Sequence, residues 1–191
     1  LLSLYRSTFQ ERWIHHAVRF VKFAEAHYSD HDSGLFWFTS DLDSQLISRT
    51  SERHDNVLPA SNSVMAENLF LLSHLLQKPD WKSRSQQMLA QVVGELPRYG
   101  AGFSNWARLL LRLTRPFHEV VICGKEALSL KAQLDRQLLS FTILAGDCSG
   151  DSSLALCADR FLSGNTLIHV CTENSCQLPV KSADDAIRMI I

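Results

Sequence analysis

The sequence predicts a mainly α chain, with stacked helical hairpins followed by a small α/β unit whose sheet is largely parallel. Two observations lead there. Apolar residues recur at helical spacing in successive segments before Pro116. Beyond Pro116, β-branched runs alternate with helical stretches, the pattern of strands joined by crossovers. No fixed-period repeat of the solenoid kind accompanies the helices.

Thr8 and Glu11 form a capping-box pattern, and Phe9, Trp13, Ala17, Phe20 and Ala24 follow at helical spacing, predicting a helix over 9–28. A turn at Asp30, His31, Asp32, Ser33 and Gly34 leads to a short strand, Leu35, Phe36, Trp37, Phe38 and Thr39. Residues 41–44 turn the chain so that 45–49 returns as a hairpin, which leaves 50–60 as a long loop. Ser61, Asn62 and Ser63 offer caps to a helix running to Pro79. Asp80 caps a third, with Trp81, Met88, Leu89, Val92 and Leu96 on one face, and 103–113 forms a fourth. In the α/β part, strands at Val120, Val121 and Ile122, at 141–145 and at 166–171 flank a helix over 127–139, and Ser182 with Asp185 caps a closing helix.

With 46% hydrophobic and 20% charged residues, the composition is globular. A net charge of -1 supplies no basic field for nucleic acid or an anionic membrane, so small molecules or proteins are the expected partners. Apolar runs fall short of the roughly 20 residues of a membrane span, and a signal-peptide pattern is missing, so a cytoplasmic location is expected. Leu1, Leu2, Leu4 and Tyr5 read as the end of a helix whose start lies upstream, the expectation for a fragment of a longer protein.

The densest polar cluster bounded by apolar structure is the loop bearing Arg49, Glu52, His54, Asp55, Pro59, Asn62 and Ser63. Glu52 and Asp55 are the candidate catalytic pair, since two carboxylates can divide general acid and base work on a sugar hydroxyl or glycosidic oxygen. Arg49 would hold a carboxylate ionised, His54, Asn62 and Ser63 would meet hydroxyls, and Trp37 would offer a face to a sugar ring. The competing reading makes Glu52 and Asp55 solvated loop charges, Asn62 or Ser63 a helix cap, and Trp37 core.

Five cysteines, Cys123, Cys148, Cys157, Cys171 and Cys176, all lie in the second half. Their odd number is not that of a disulfide framework, and reduced thiols are expected. Cys171 and Cys176 carry either a redox role, as a reversible disulfide across a loop, or a merely structural one. No four-ligand metal set completes them, and Gly146, Gly150 and Gly164 form no nucleotide-binding pattern, so neither metal nor cofactor is expected. His15 and His16 point about 100° apart on a helix and do not make a ligand pair.

The run from Arg49 through Asp55, Pro59, Asn62 and Ser63 resembles a loop of the thioredoxin-domain-containing family of bacterial YyaL and mammalian spermatogenesis-associated protein 20. Gly34 to Thr39, Glu119 to Ile122, and Cys171 to Pro179 are similar to further segments of that family in the same order, while Asn56, Ala60 and Ser61 depart from its loop. The resemblance implies that residues 1–116 are the C-terminal portion of an (α/α)6 toroid, related to N-acylglucosamine 2-epimerases and six-hairpin glycosidases. Residues 117–191 would be an appended α/β unit. It also implies a carbohydrate or another small molecule as ligand, and the upstream toroid and a thioredoxin-like domain as partners within the longer protein. Two functions follow as expectations: a carbohydrate-binding or carbohydrate-acting site, or a non-enzymatic interaction or redox-accessory module.

Overall fold

The computed structural model describes residues 1–43, 48–173 and 175–191. The return strand expected over 45–49 falls largely outside the described residues. The chain divides into two compact units that interleave in sequence. One comprises Leu1–His15, His74–Gln77 and Arg115–Ile191, and the other His16–Ser73 and Lys78–Thr114.

The first unit is built around a sheet. Strand β1 (His118–Cys123) lies between β2 (Thr142–Asp147) and β3 (Leu167–Thr172), with β4 (Ser175–Cys176) beyond β3, in the order β2-β1-β3-β4. β1 and β2 run parallel, whereas β1/β3 and β3/β4 are antiparallel. β2 is buried along its whole length and β1 from Glu119 onward. Side chains alternate between sheet faces, so burial without alternation means both faces are covered. Helix α6 (Ala127–Leu134) connects β1 to β2 and buries Ala127, Leu130 and Leu134. α7 (Ala183–Ile190) buries Ala183 and Ala186, and its start is capped by Ser182 Oγ, which accepts from the Asp185 N–H at 3.1 Å.

The helix expected over 9–28 starts later than the periodicity sets it. α1 (Leu2–Thr8) stops at Phe9, whose φ of 53° puts it in the left-handed region and whose N–H returns to the Tyr5 carbonyl. α2 (Arg12–His27) begins after that break. Glu11 closes no capping box; its carboxylate accepts from the hydroxyls of Ser152 and Ser153 and from the Ser153 N–H at 3.0 Å. Tyr5 is buried, its hydroxyl accepts from the Gly146 N–H at 3.3 Å, and burial pushes its pKa up.

The second unit holds the greater part of α2 and of α3 (Ser61–Leu76), with α4 (Pro79–Ala90) and α5 (Ser104–Thr114). α3 buries Ala66, Leu69, Phe70 and Leu72. Ser85 Oγ on α4 donates to the Ala66 carbonyl at 2.7 Å, and Arg108 and Arg112 on α5 both pair with the nearly buried Glu67 of α3. A carboxylate buried this far is stable only when paired, and two guanidinium groups meet it.

Two expectations are corrected. The chain is mixed α/β rather than mainly α, with seven α-helices and a four-stranded mixed sheet among the described residues, and a partial toroid is not shown. Nor is the sheet largely parallel. A parallel β3 would need a crossover element after β2, but residues 148–166 hold just a 3-10 turn at Ala155–Cys157, and β3 enters on the far side of β1 in the opposite direction.

Gly146 shows how tightly the first unit is packed. A Cβ there would lie 2.3 Å from Cδ2 and Cε2 of the buried Phe9 ring. Gly146→Ala is expected to cost about 1–3 kcal/mol by overpacking, read from urea denaturation, and Phe9→Leu in the same chain to recover part of it. Strict additivity of the two substitutions would show that the ring is not the obstacle.

Candidate functional site

The loop singled out in the sequence is held by its own polar side chains. Asp55 is buried, and four donors surround its carboxylate. Oδ1 accepts from the Ala60 N–H at 3.0 Å, the Ser63 hydroxyl at 2.7 Å and the Asn105 side-chain amide at 3.0 Å, while Oδ2 accepts from the Asn105 N–H at 2.9 Å. Ala60 immediately precedes α3 and Asn105 lies in the first turn of α5, so one carboxylate serves the N-termini of two helices. The Asp55 N–H donates to the Gly102 carbonyl at 2.7 Å, which closes the clasp. Burial works against ionisation of Asp55, but the donors from Asn105, Ser63 and Ala60 together hold its pKa below the usual carboxylate range.

Asn62 is fully buried and clamps the extended segment. Its Oδ1 accepts from the Phe36 N–H at 2.7 Å, and its Nδ2 donates to the carbonyls of Phe36 and Glu52, each at 2.9 Å. This explains why Leu35 to Thr39 forms an isolated bridge, Ser29 with Phe36, instead of a strand: a side-chain amide takes the backbone groups that a partner strand would have used. Glu52 is exposed and accepts from the Ser61 N–H at 3.0 Å. Ser63 Oγ also lies 2.9 Å from the Ala60 carbonyl.

Arg49 donates to the Thr39 carbonyl and stands 5.4 Å from the centroid of the half-buried Trp37 ring. His54 is exposed, its ring 4.7 Å from that of Phe103. The structure thus brings Glu52, Asp55, Asn62 and Ser63 together around backbone groups of the loop and of α3. A cavity of about 340 Å³ in the same unit is lined by Asp30, His31, Gly34, Asp80, Ser83, Arg84 and Gln87, and by none of the predicted loop residues.

The second cluster lies at the sheet edge. Contrary to the expectation of reduced thiols, Cys171 and Cys176 form a disulfide. They are directly paired across the β3–β4 ladder, and β4 is exposed while Cys171 is buried. Arg160 reaches both sulfurs, with Nη1 at 3.3 Å from Cys171 Sγ and Nη2 at 3.4 Å from Cys176 Sγ. Burial and the Arg160 cation both lower the pKa of His169, two residues earlier on β3, so it stays neutral at neutral pH. Cys123, Cys148 and Cys157 are free thiols; the hydrogen bond with Cys157, and then burial, raise the pKa of Cys123, and burial raises that of Cys148.

Sequence reasoning missed Asn105 and Arg160. For Asn105 a signal existed, since the first N–H groups of any helix need acceptors and an acidic loop is one source of them. Arg160 carries no local signal, being 11 residues from Cys171. No protein-family model matches the chain, and no curated protein does. No helix among the described residues is long and apolar enough to cross a membrane.

The pinned carboxylate has a measurable consequence. Its folded pKa is lowered, so its stabilisation is fully present above the unfolded value of about 4 and is lost as pH falls through the folded value. Asp55→Ala is expected to lower stability by about 2–4 kcal/mol at neutral pH. Denaturant midpoints measured down the acid limb should show that deficit shrinking. A deficit unchanged in acid, or absent at neutral pH, would contradict this role.

Proposed function

We propose that this chain is a redox-accessory module whose Cys171–Cys176 disulfide opens and closes by thiol–disulfide exchange. The observation that carries the reading is the Arg160 guanidinium, placed across both sulfurs of a disulfide that has one exposed end. A cation beside sulfur favours the thiolate, the species that breaks and forms such bonds. A purely structural staple has no need of one.

Two further points support it. β1 and β2 form their ladder without β4, so opening the bond leaves the centre of the sheet paired. The resemblance over Cys171 to Pro179 is to a family whose members also carry a thioredoxin-like domain, a reductant of the right class. The proposed setting is the cytoplasm, where the glutathione and thioredoxin systems keep such a pair near its open state.

Carbohydrate action is the weaker proposal. It rests on the resemblance, and the donors around Asp55 leave that carboxylate committed to two helix starts. A general base needs a lone pair free for substrate.

Alkylation of the folded chain before and after mild reduction tests the redox reading. Reduction should add two labels, mapping by peptide mass to Cys171 and Cys176, and removing the reductant in air should abolish them. Labelling of both residues before any reduction, or a bond that fails to re-form, would sink the proposal.

A further inference from the structure

The asymmetry of the pair carries the redox reading further, to the kind of reductant it accepts; this step rests on that reading. An incoming thiolate reaches the disulfide from solvent, and β4 presents Cys176 there while Cys171 is buried beneath. Attack therefore falls on Cys176 Sγ. The bond to Cys171 breaks, and its electron pair stays on Cys171 Sγ, against Arg160 Nη1. The guanidinium is permanently charged and stabilises that leaving thiolate.

What happens next depends on the reductant. The mixed disulfide on Cys176 stands directly opposite the Cys171 thiolate in the ladder. Recapture is intramolecular, with the high effective concentration of groups held in register. A monothiol is expelled as fast as Cys171 attacks it, and the original disulfide returns. A reductant with a second thiol in the same molecule competes on equal terms. That thiol attacks its own sulfur in the mixed disulfide, Cys176 leaves, and the reductant departs as a disulfide. Two electrons pass from reductant to protein, and the two thiol protons lost by the reductant are matched by two gained, through water, on Cys171 and Cys176.

We infer that the Cys171–Cys176 site selects dithiols over monothiols, with Cys176 as the attacked sulfur and Arg160 as the group that holds the departing Cys171 thiolate. Its substrate class is a protein or small molecule carrying two neighbouring thiols.

The test uses the full chain in its oxidised form, with dithiothreitol and glutathione as probes at equal total thiol. Dithiothreitol should open the bond at least about tenfold faster than glutathione. Cys171→Ser removes recapture, so oxidised glutathione should load Cys176 of that variant and stay there, while the reverse variant, Cys176→Ser, loads poorly. Arg160→Gln should slow opening by dithiothreitol about tenfold, and Arg160→Lys, which keeps the charge, should restore most of the rate with the same circular dichroism spectrum. Equal rates for the two reductants, preferential loading of Cys171, or an Arg160→Gln rate equal to that of the parent would each overturn the inference. The two rate outcomes are read on a bond that opens and closes, and the loading outcome on variants that lack that bond, so all three are distinct from failure of the redox reading itself, in which no reversible bond is found.

Discussion

A carboxylate taken out of water needs donors in place of its hydration, and the second unit is organised by that requirement at Asp55. Its two oxygens collect N–H groups from the starts of α3 and α5, a hydroxyl and an amide. Residues 48–60, leading into α3, take part in no strand ladder, so these bonds and the Asn62 clamp define their path. Groups committed in this way position backbone. They are poorly suited to shuttling protons, because each protonation would release the contacts that hold two helices in place.

The first unit answers a different constraint. β1 is paired on both sides and buried from Glu119 onward, and that stretch is apolar, with three β-branched residues and one charged exception, Glu119. That carboxylate meets His74 Nδ1 at 2.7 Å. Pairing along both edges of β1 pushes β3 outward and β4 to the rim. There the Cys171–Cys176 bond has one end in solvent and the other in the core, and Arg160 arrives from the irregular chain between β2 and β3. The parallel β1–β2 pair lies on the far side of β3 from β4 and makes its ladder without it.

The fold was legible wherever a local rule settles the outcome. β1, β2, β3 and the Ser182-capped α7 follow from β-branched runs and a cap, and α3 to α5 from helical spacing. It was not legible where a distant group decides. Phe9 stays outside the second helix, with its ring packed where Gly146 leaves space, a relation spanning most of the chain. The direction of β3 depends on which side of β1 is open, and strand patterns are silent on that. In the loop, Asp55, Asn62 and Ser63 were recognisable as a polar cluster, but buried and solvated carboxylates look alike in a sequence. Asn105, some 50 residues away, decides between them. The cysteine pair was visible, and the arginine that gives it chemical interest was not.

The proposed Cys171–Cys176 couple lies at the edge of the sheet, beyond the β1–β2 pair. The Cβ carbon chemical shifts of the five cysteines, followed in one sample as a dithiol is added and then removed, test this most directly. Cys171 and Cys176 alone should move from the oxidised to the reduced range and back, while amide shifts of β1 and β2 hold. Reduced shifts at both residues from the outset in aerated buffer, or loss of the β1 and β2 signals on reduction, would contradict it.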